Sequence, residues 1–117
     1  LQFEQGQALF YCSTQLVPYQ RMQILGTKGR IEIEIPFNAP PDRPCRIFVD
    51  DGSQLADASA ETTSFEVIDQ YTLQGDAFAR AIREGTPLEF PLENAVRNMR
   101  VVDAIFRAAA SGRWESV

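Results

Sequence analysis

The apolar residues of this chain change their spacing once, near Ile68, and that change restricts the fold more than any other feature of the sequence. Before it, apolar side chains recur every second residue, the period of a half-buried strand; after it they recur at the three-to-four spacing of an amphipathic helix. The period-two pattern is clearest in Met22, Ile24, Ile31, Ile33 and Ile35, which flank Gly26-Thr27-Lys28-Gly29. A hairpin loop closed at Thr27-Lys28 pairs Ile24 with Ile31, Met22 with Ile33 and Arg21 with Glu34. All five apolar side chains then share one face. Arg21, Gln23, Arg30, Glu32 and Glu34 take the other, with Leu25 as its one apolar member.

Leu1-Gln2-Phe3-Glu4 alternates in the same way, and Ala8, Phe10 and Cys12 continue the spacing. A two-residue turn is expected at Gln5-Gly6. It puts Leu1, Phe3, Ala8, Phe10 and Cys12 on one face, and leaves Leu9 and Tyr11 among polar residues on the other. Pro36 to Pro44 is proline-rich and irregular. Cys45 to Val49 reads as a strand ending in an Asp50-Asp51-Gly52 turn, residues 53–61 as a surface loop, and Ser64 to Ile68 as a further strand.

Beyond Ile68, Tyr71, Gln74, Phe78, Ala81 and Ile82 define a helix from about Asp69 to Glu84, with Gly85 as its C-terminal cap. Pro87 and Pro91 flank a short extended link. Val96, Met99, Val102, Ile105, Phe106 and Ala109 then define a second helix from Leu92 to Ser111, stopped by Gly112. Asp76–Arg80, Glu93–Arg97 and Asp103–Arg107 have the four-residue spacing of helix-supporting ion pairs, and Trp114 is expected in a short final strand. Hairpins followed by helices predict an α+β fold, a mostly antiparallel open-faced sheet with helices packed on one face.

Composition narrows the function. The 117 residues amount to one domain and contain no histidine, so no His-based acid–base pair, metal ligand or nucleophile–histidine arrangement exists within the chain. A net charge of −5, with Lys28 as the single lysine, argues against nucleic-acid binding. No apolar run approaches the roughly 18 residues of a membrane span. The chain opens at Leu1, already inside a strand pattern, and is read as a piece of a longer protein.

Each candidate for chemistry has a plainer reading beside it. Gly26-x-x-Gly29 resembles an RNA-backbone clamp, but between two strands of an acidic chain it reads as a hairpin turn. No G-x-G-x-x-G or Walker sequence is present. Glu32 and Glu34 share a face as an acid–base pair would, yet Arg21, Gln23 and Arg30 make a charge ladder the better reading. Asp50-Asp51-Gly52-Ser53 lacks the spacing of a calcium loop. Cys12 and Cys45 are too few for a structural zinc site; they could form one disulfide, but Cys12 sits in a strand pattern, and two reduced thiols in a cytoplasmic protein are the better reading. Arg43 and Arg46 suit either an anionic ligand or plain surface exposure. Tyr19, Gln70 and Tyr71 lie near element ends, where packing and capping explain them as well as substrate contact. None of these residues is assigned a catalytic, cofactor-binding or metal-binding role.

Three stretches in combination resemble the C-terminal domain of the Gfo/Idh/MocA oxidoreductases, from about Leu1 to Trp114. They are Ser13-Thr14-Gln15-Leu16-Val17-Pro18-Tyr19-Gln20 running into Ile24 through Ile33; Tyr71-x-x-Gln74-x-x-x-Phe78-x-x-Ala81-Ile82-x-x-Gly85-x-Pro87; and Leu92-Glu93-Asn94-Ala95 through Val101–Arg107 to Gly112. The resemblance implies a parent protein whose N-terminal Rossmann domain binds NAD or NADP and which acts on a sugar or polyol-like substrate. The present domain would contribute substrate pocket and subunit contacts in a homo-oligomer. The family's glycine-rich cofactor loop, Glu-Lys-Pro motif and Asp/His pair find no match here. The chain alone is therefore expected to be inactive and to hold no cofactor. Association is expected through a sheet face bearing Leu9, Tyr11 and Leu25. The alternative is a non-enzymatic binding or scaffold domain.

Overall fold

The change of period near Ile68 is the boundary between strands and helices in the computed structural model, which describes every residue from Leu1 to Val117. Strands come first: β1 (Gln2–Phe3), β2 (Gly6–Gln7), β3 (Met22–Gly26), β4 (Gly29–Ile33), β5 (Cys45–Asp50) and β6 (Glu61–Phe65). Helices α1 (Gln70–Glu84) and α2 (Leu92–Ser111) follow. The chain divides at the same place into two units, Leu1–Ile68 and Asp69–Val117. The fold is α+β, as the sequence predicts.

In the first unit, β3-β4-β5-β6 form an antiparallel meander in chain order. The central hairpin has the register its isoleucines specify, with Ile24 opposite Ile31 and Met22 opposite Ile33. A one-residue slip would move that whole set to the charged face, which is why the register is legible. Neither Thr27 nor Lys28 takes the positive φ that usually lets a two-residue loop match strand twist. Gly29 absorbs the difference at φ 152°, lying against Asp50 so closely that a Cβ would stand 2.5 Å from its carbonyl oxygen. At the other end of the sheet, Gln20 Oε1 accepts from the backbone N–H groups of Phe37 (3.2 Å) and Asn38 (3.1 Å), fixing the start of the proline-rich segment.

Two strand assignments need correction. The first hairpin turns at Glu4-Gln5, pairing Phe3 with Gly6 and Gln2 with Gln7. Its mouth is closed by Leu1 and Ala8, which exchange bonds of 2.7 and 2.9 Å. The pairing shifts by two residues from the expected one, so Leu1, Phe3 and Ala8 still share a face. However, the strand ends at Gln7: the alternation through Cys12 continues, but the backbone there has no ladder partner. The last strand occupies Glu61–Phe65 rather than Ser64–Ile68. Glu61, Thr62, Thr63 and Ser64 lack an apolar face because this is an edge strand, where polar residues are tolerated.

In the second unit, Asp69 caps α1. Its carboxylate accepts from the Tyr71 N–H (3.1 Å) and the Thr72 hydroxyl (2.8 Å), satisfying donors a helix start leaves unpaired. The cap holds Asp69 below the usual carboxylate range, through the Thr72 hydroxyl first and the Tyr71 N–H second. At the far end the Gly85 and Thr86 N–H groups both reach the Ala81 carbonyl. Helix α2 starts after Pro91 without a side-chain cap, and Glu93 in its first turn complements the dipole. It ends at Gly112, whose N–H donates to Ala108 O (2.9 Å). Arg107 turns away from Asp103 to the Ser116 carbonyl (2.9 Å) and Glu115 (3.9 Å), and the segment around Trp114 is not a strand. Ala104 is buried on α2, and in the first unit Asp50 is the buried residue.

Candidate functional site

Alternation along β4 places Arg30, Glu32 and Glu34 on one face, and the register brings Arg21 and Gln23 to one side of them and Arg46 and Asp50 to the other. The expected charge ladder is present. Arg46 grips Glu34 with two bonds, Nε to Oε2 at 3.0 Å and Nη2 to Oε1 at 2.5 Å, a bidentate geometry that only arginine offers. The same guanidinium lies 5.4 Å from the ring centre of Phe48. Arg21 stands 3.3 Å from Glu32 and 3.9 Å from Glu34, with its Nη1 shielded from solvent. Gln23 donates to Glu32 at 2.7 Å, and Arg30 approaches Glu32 at 3.9 Å.

The ladder ends in a second cluster. Asp50 Oδ2 accepts from Arg30 Nε and Nη2, both at 3.2 Å, while Oδ1 accepts from the Gly52 N–H (2.9 Å) and the Ser59 hydroxyl (2.5 Å). Arg30 Nη2 also pairs with Asp57. These bonds hold Asp50 below the usual carboxylate range, the Ser59 hydroxyl contributing most, then the Gly52 N–H, then Arg30. Glu34 is lowered chiefly by its hydrogen bond from Arg46. Asp51 is lowered by the Ser53 N–H, which it accepts at 2.9 Å. A carboxyl that serves as an acid at neutral pH must be pushed upward; Glu34 and Asp50 are pushed the other way. This face is a set of ion pairs and hydrogen bonds between neighbouring strands.

Arg46 is committed to Glu34, which leaves it unsuited to the anionic ligand considered for it, and Gly26 to Gly29 closes a hairpin. Cys12 is exposed, Cys45 half-buried, and both are free thiols. Leu9 and Tyr11 lie in the irregular segment and not on the sheet, so the single association face expected to carry them with Leu25 does not form. Tyr11, Leu16 and Tyr19 instead help line an open hollow of about 540 Å³ within residues 11–20. Sequence reasoning missed Asp57 and Ser59, which sit in a polar, alanine-rich stretch with no pattern to single them out.

Neither the sheet nor the helix starts have the form that a Rossmann-type dinucleotide site takes. Its four-stranded sheet is antiparallel throughout, without the parallel strand–turn–helix unit that cradles a pyrophosphate. The starts of both helices carry acidic side chains, Asp69 and Glu93, where a phosphate would have to approach. No helix is long and apolar enough to cross a membrane.

Comparison with known proteins gives a consistent picture. The family described as "Oxidoreductase family, C-terminal alpha/beta domain" matches residues 1–117. An uncharacterized oxidoreductase, ORF334, of Rhizobium meliloti is 46% identical over 111 residues, covering 95% of this chain and 33% of that protein. A D-xylose 1-dehydrogenase (NADP(+)) of Haloferax volcanii is 32% identical over 94 residues, covering 80% of this chain and 27% of its own length. The chain thus spans about a third or less of these curated relatives. No solved structure matches.

Proposed function

This chain belongs to the Gfo/Idh/MocA oxidoreductase family as its C-terminal alpha/beta domain, and we propose that it serves a larger NAD(P)-dependent dehydrogenase acting on a sugar or polyol-like substrate. The match to the family over residues 1–117 carries this reading. The Haloferax volcanii relative, by its name an NADP-dependent xylose dehydrogenase, supports both the cofactor class and the substrate class. A separate N-terminal Rossmann domain supplies the dinucleotide site, and the hydride chemistry is the cofactor's. The present domain contributes a wall of the substrate pocket and contacts between subunits of a cytoplasmic homo-oligomer. Half-exposed apolar side chains on one sheet face, Ile24, Ile31 and Val49 among them, support a role in contact with other protein surfaces. No catalytic residue is assigned within Leu1–Val117.

The test compares two proteins, the natural-length product and residues 1–117 alone. NADPH and NADH are titrated into each by fluorescence, and aldoses and polyols are screened for cofactor-dependent turnover. Binding and turnover by the long form with neither in the short form is the expected result. Nicotinamide binding to residues 1–117 alone refutes the division of labour. A natural-length protein that binds no nicotinamide makes the chain a scaffold domain.

A further inference from the structure

We propose that residues 51–60 form a strap that opens and closes on the end of the sheet independently of it. Closure rests on polar bonds from Asp50 and Arg30, with Asp51 also bonded to Ser59. Asp50 Oδ1 holds the two ends of the strap, accepting from the Gly52 N–H at 2.9 Å and the Ser59 hydroxyl at 2.5 Å. Asp50 is kept in that orientation by Arg30, which donates twice to Oδ2 and also reaches Asp57 near the tip. Within the strap, Ala60 N–H donates to Asp57 O (3.0 Å) and Gln54 N–H to Ser59 Oγ (3.4 Å).

The strap's own backbone opposes closure. Ala56 (φ 56°) and Asp57 (φ 61°) are consecutive non-glycine residues in the left-handed region, where the Cβ crowds the following carbonyl. Apolar burial adds little, because Leu55, the strap's one large apolar side chain, is 92% exposed. A segment fastened by a few polar bonds, strained in its backbone and lacking an apolar anchor opens locally while the ladder of β4 and β5 stays paired. Opening exposes Asp50 and releases Arg30 from Asp57.

Hydrogen exchange by mass spectrometry on the natural-length protein tests this, comparing the peptide over 51–60 with peptides over 30–34 and 45–50. Ser59→Ala removes the hydroxyl that donates to Asp50 and accepts from the Gln54 N–H, and should speed exchange in 51–60 about tenfold. Ala56→Gly relieves strain without touching a fastening bond and should slow it about fivefold. The β4 and β5 peptides should keep their wild-type rates in both variants. Loop and sheet peptides changing together would show that the segment opens only with the sheet and overturn the proposal. An Ala56→Gly variant that exchanges no more slowly than wild type in 51–60 would overturn it as well.

Discussion

Replacing Gly29 with alanine should destabilise the sheet far more than the same change three residues earlier. Gly29 has φ 152°, and its added Cβ would stand 2.5 Å from the Asp50 carbonyl oxygen and 3.3 Å from the Asp51 Cα. The obstacle is backbone, so no side-chain rotation clears it. Holding a non-glycine residue in such a conformation costs about 1–3 kcal/mol, and forcing β4 and β5 apart at their shared end costs about 1–3 kcal/mol more. Together these give about 4 kcal/mol, a large share of the roughly 5–15 kcal/mol that holds an ordinary domain folded. Gly26 is the internal control. It pairs with Gly29 across the hairpin mouth, yet its added Cβ would stand 3.5 Å from Gly29 O, an ordinary contact. Alanine there should be neutral or stabilising by up to about 1 kcal/mol. Urea denaturation followed by far-ultraviolet circular dichroism measures both variants against wild type. A Gly29→Ala cost within about 1 kcal/mol of the Gly26→Ala value would show that the close approach to Asp50 relaxes freely, and would refute the reasoning.

The helix cap and the charge ladder give two further expectations. Asp69→Ala should raise amide exchange in the first turn of α1, at Tyr71 and Thr72, while Asp69→Asn, which keeps an accepting oxygen, should retain most of the protection. Asp69 is held below its ordinary value of 3.8, so its contribution is whole above that pH and is lost as pH falls through the lower folded value; Asp69→Asn should lack this acid dependence. Glu34 is likewise held below its ordinary 4.5, so the difference in Tm between wild type and Glu34→Gln should be constant above that pH and disappear on further acidification. The Glu34→Gln difference should also shrink in high salt, because its partner Arg46 is half exposed to screening ions. A difference that persists in acid and in salt would mean that packing, not charge, holds this part of the sheet.

What the sequence made legible follows from where the structural information is stored. The β3–β4 register could be read because a buried-type face of isoleucines penalises any slip, and both helices could be read to their ends because Asp69, Gly85 and Gly112 act on backbone groups one helical turn away or less. The first hairpin was harder, since Gln5-Gly6 and Glu4-Gln5 are both weak turn dipeptides and its face assignment survives either choice. The side-chain pattern places the edge strand Glu61–Phe65 three residues too late, because the pairing that defines it is made by backbone to β5, which no side-chain period records. Least legible were the long-range bonds between side chain and loop: Gln20 to the amides of Phe37 and Asn38, and Arg30 with Asp50 to Asp57 and Ser59. These join residues separated by 9 to 27 positions through single polar atoms, with no repeat to betray them. The charged face of the sheet was therefore visible in the sequence as alternation, whereas the fastening at its end, where the strap is held, became visible only once the chain was folded.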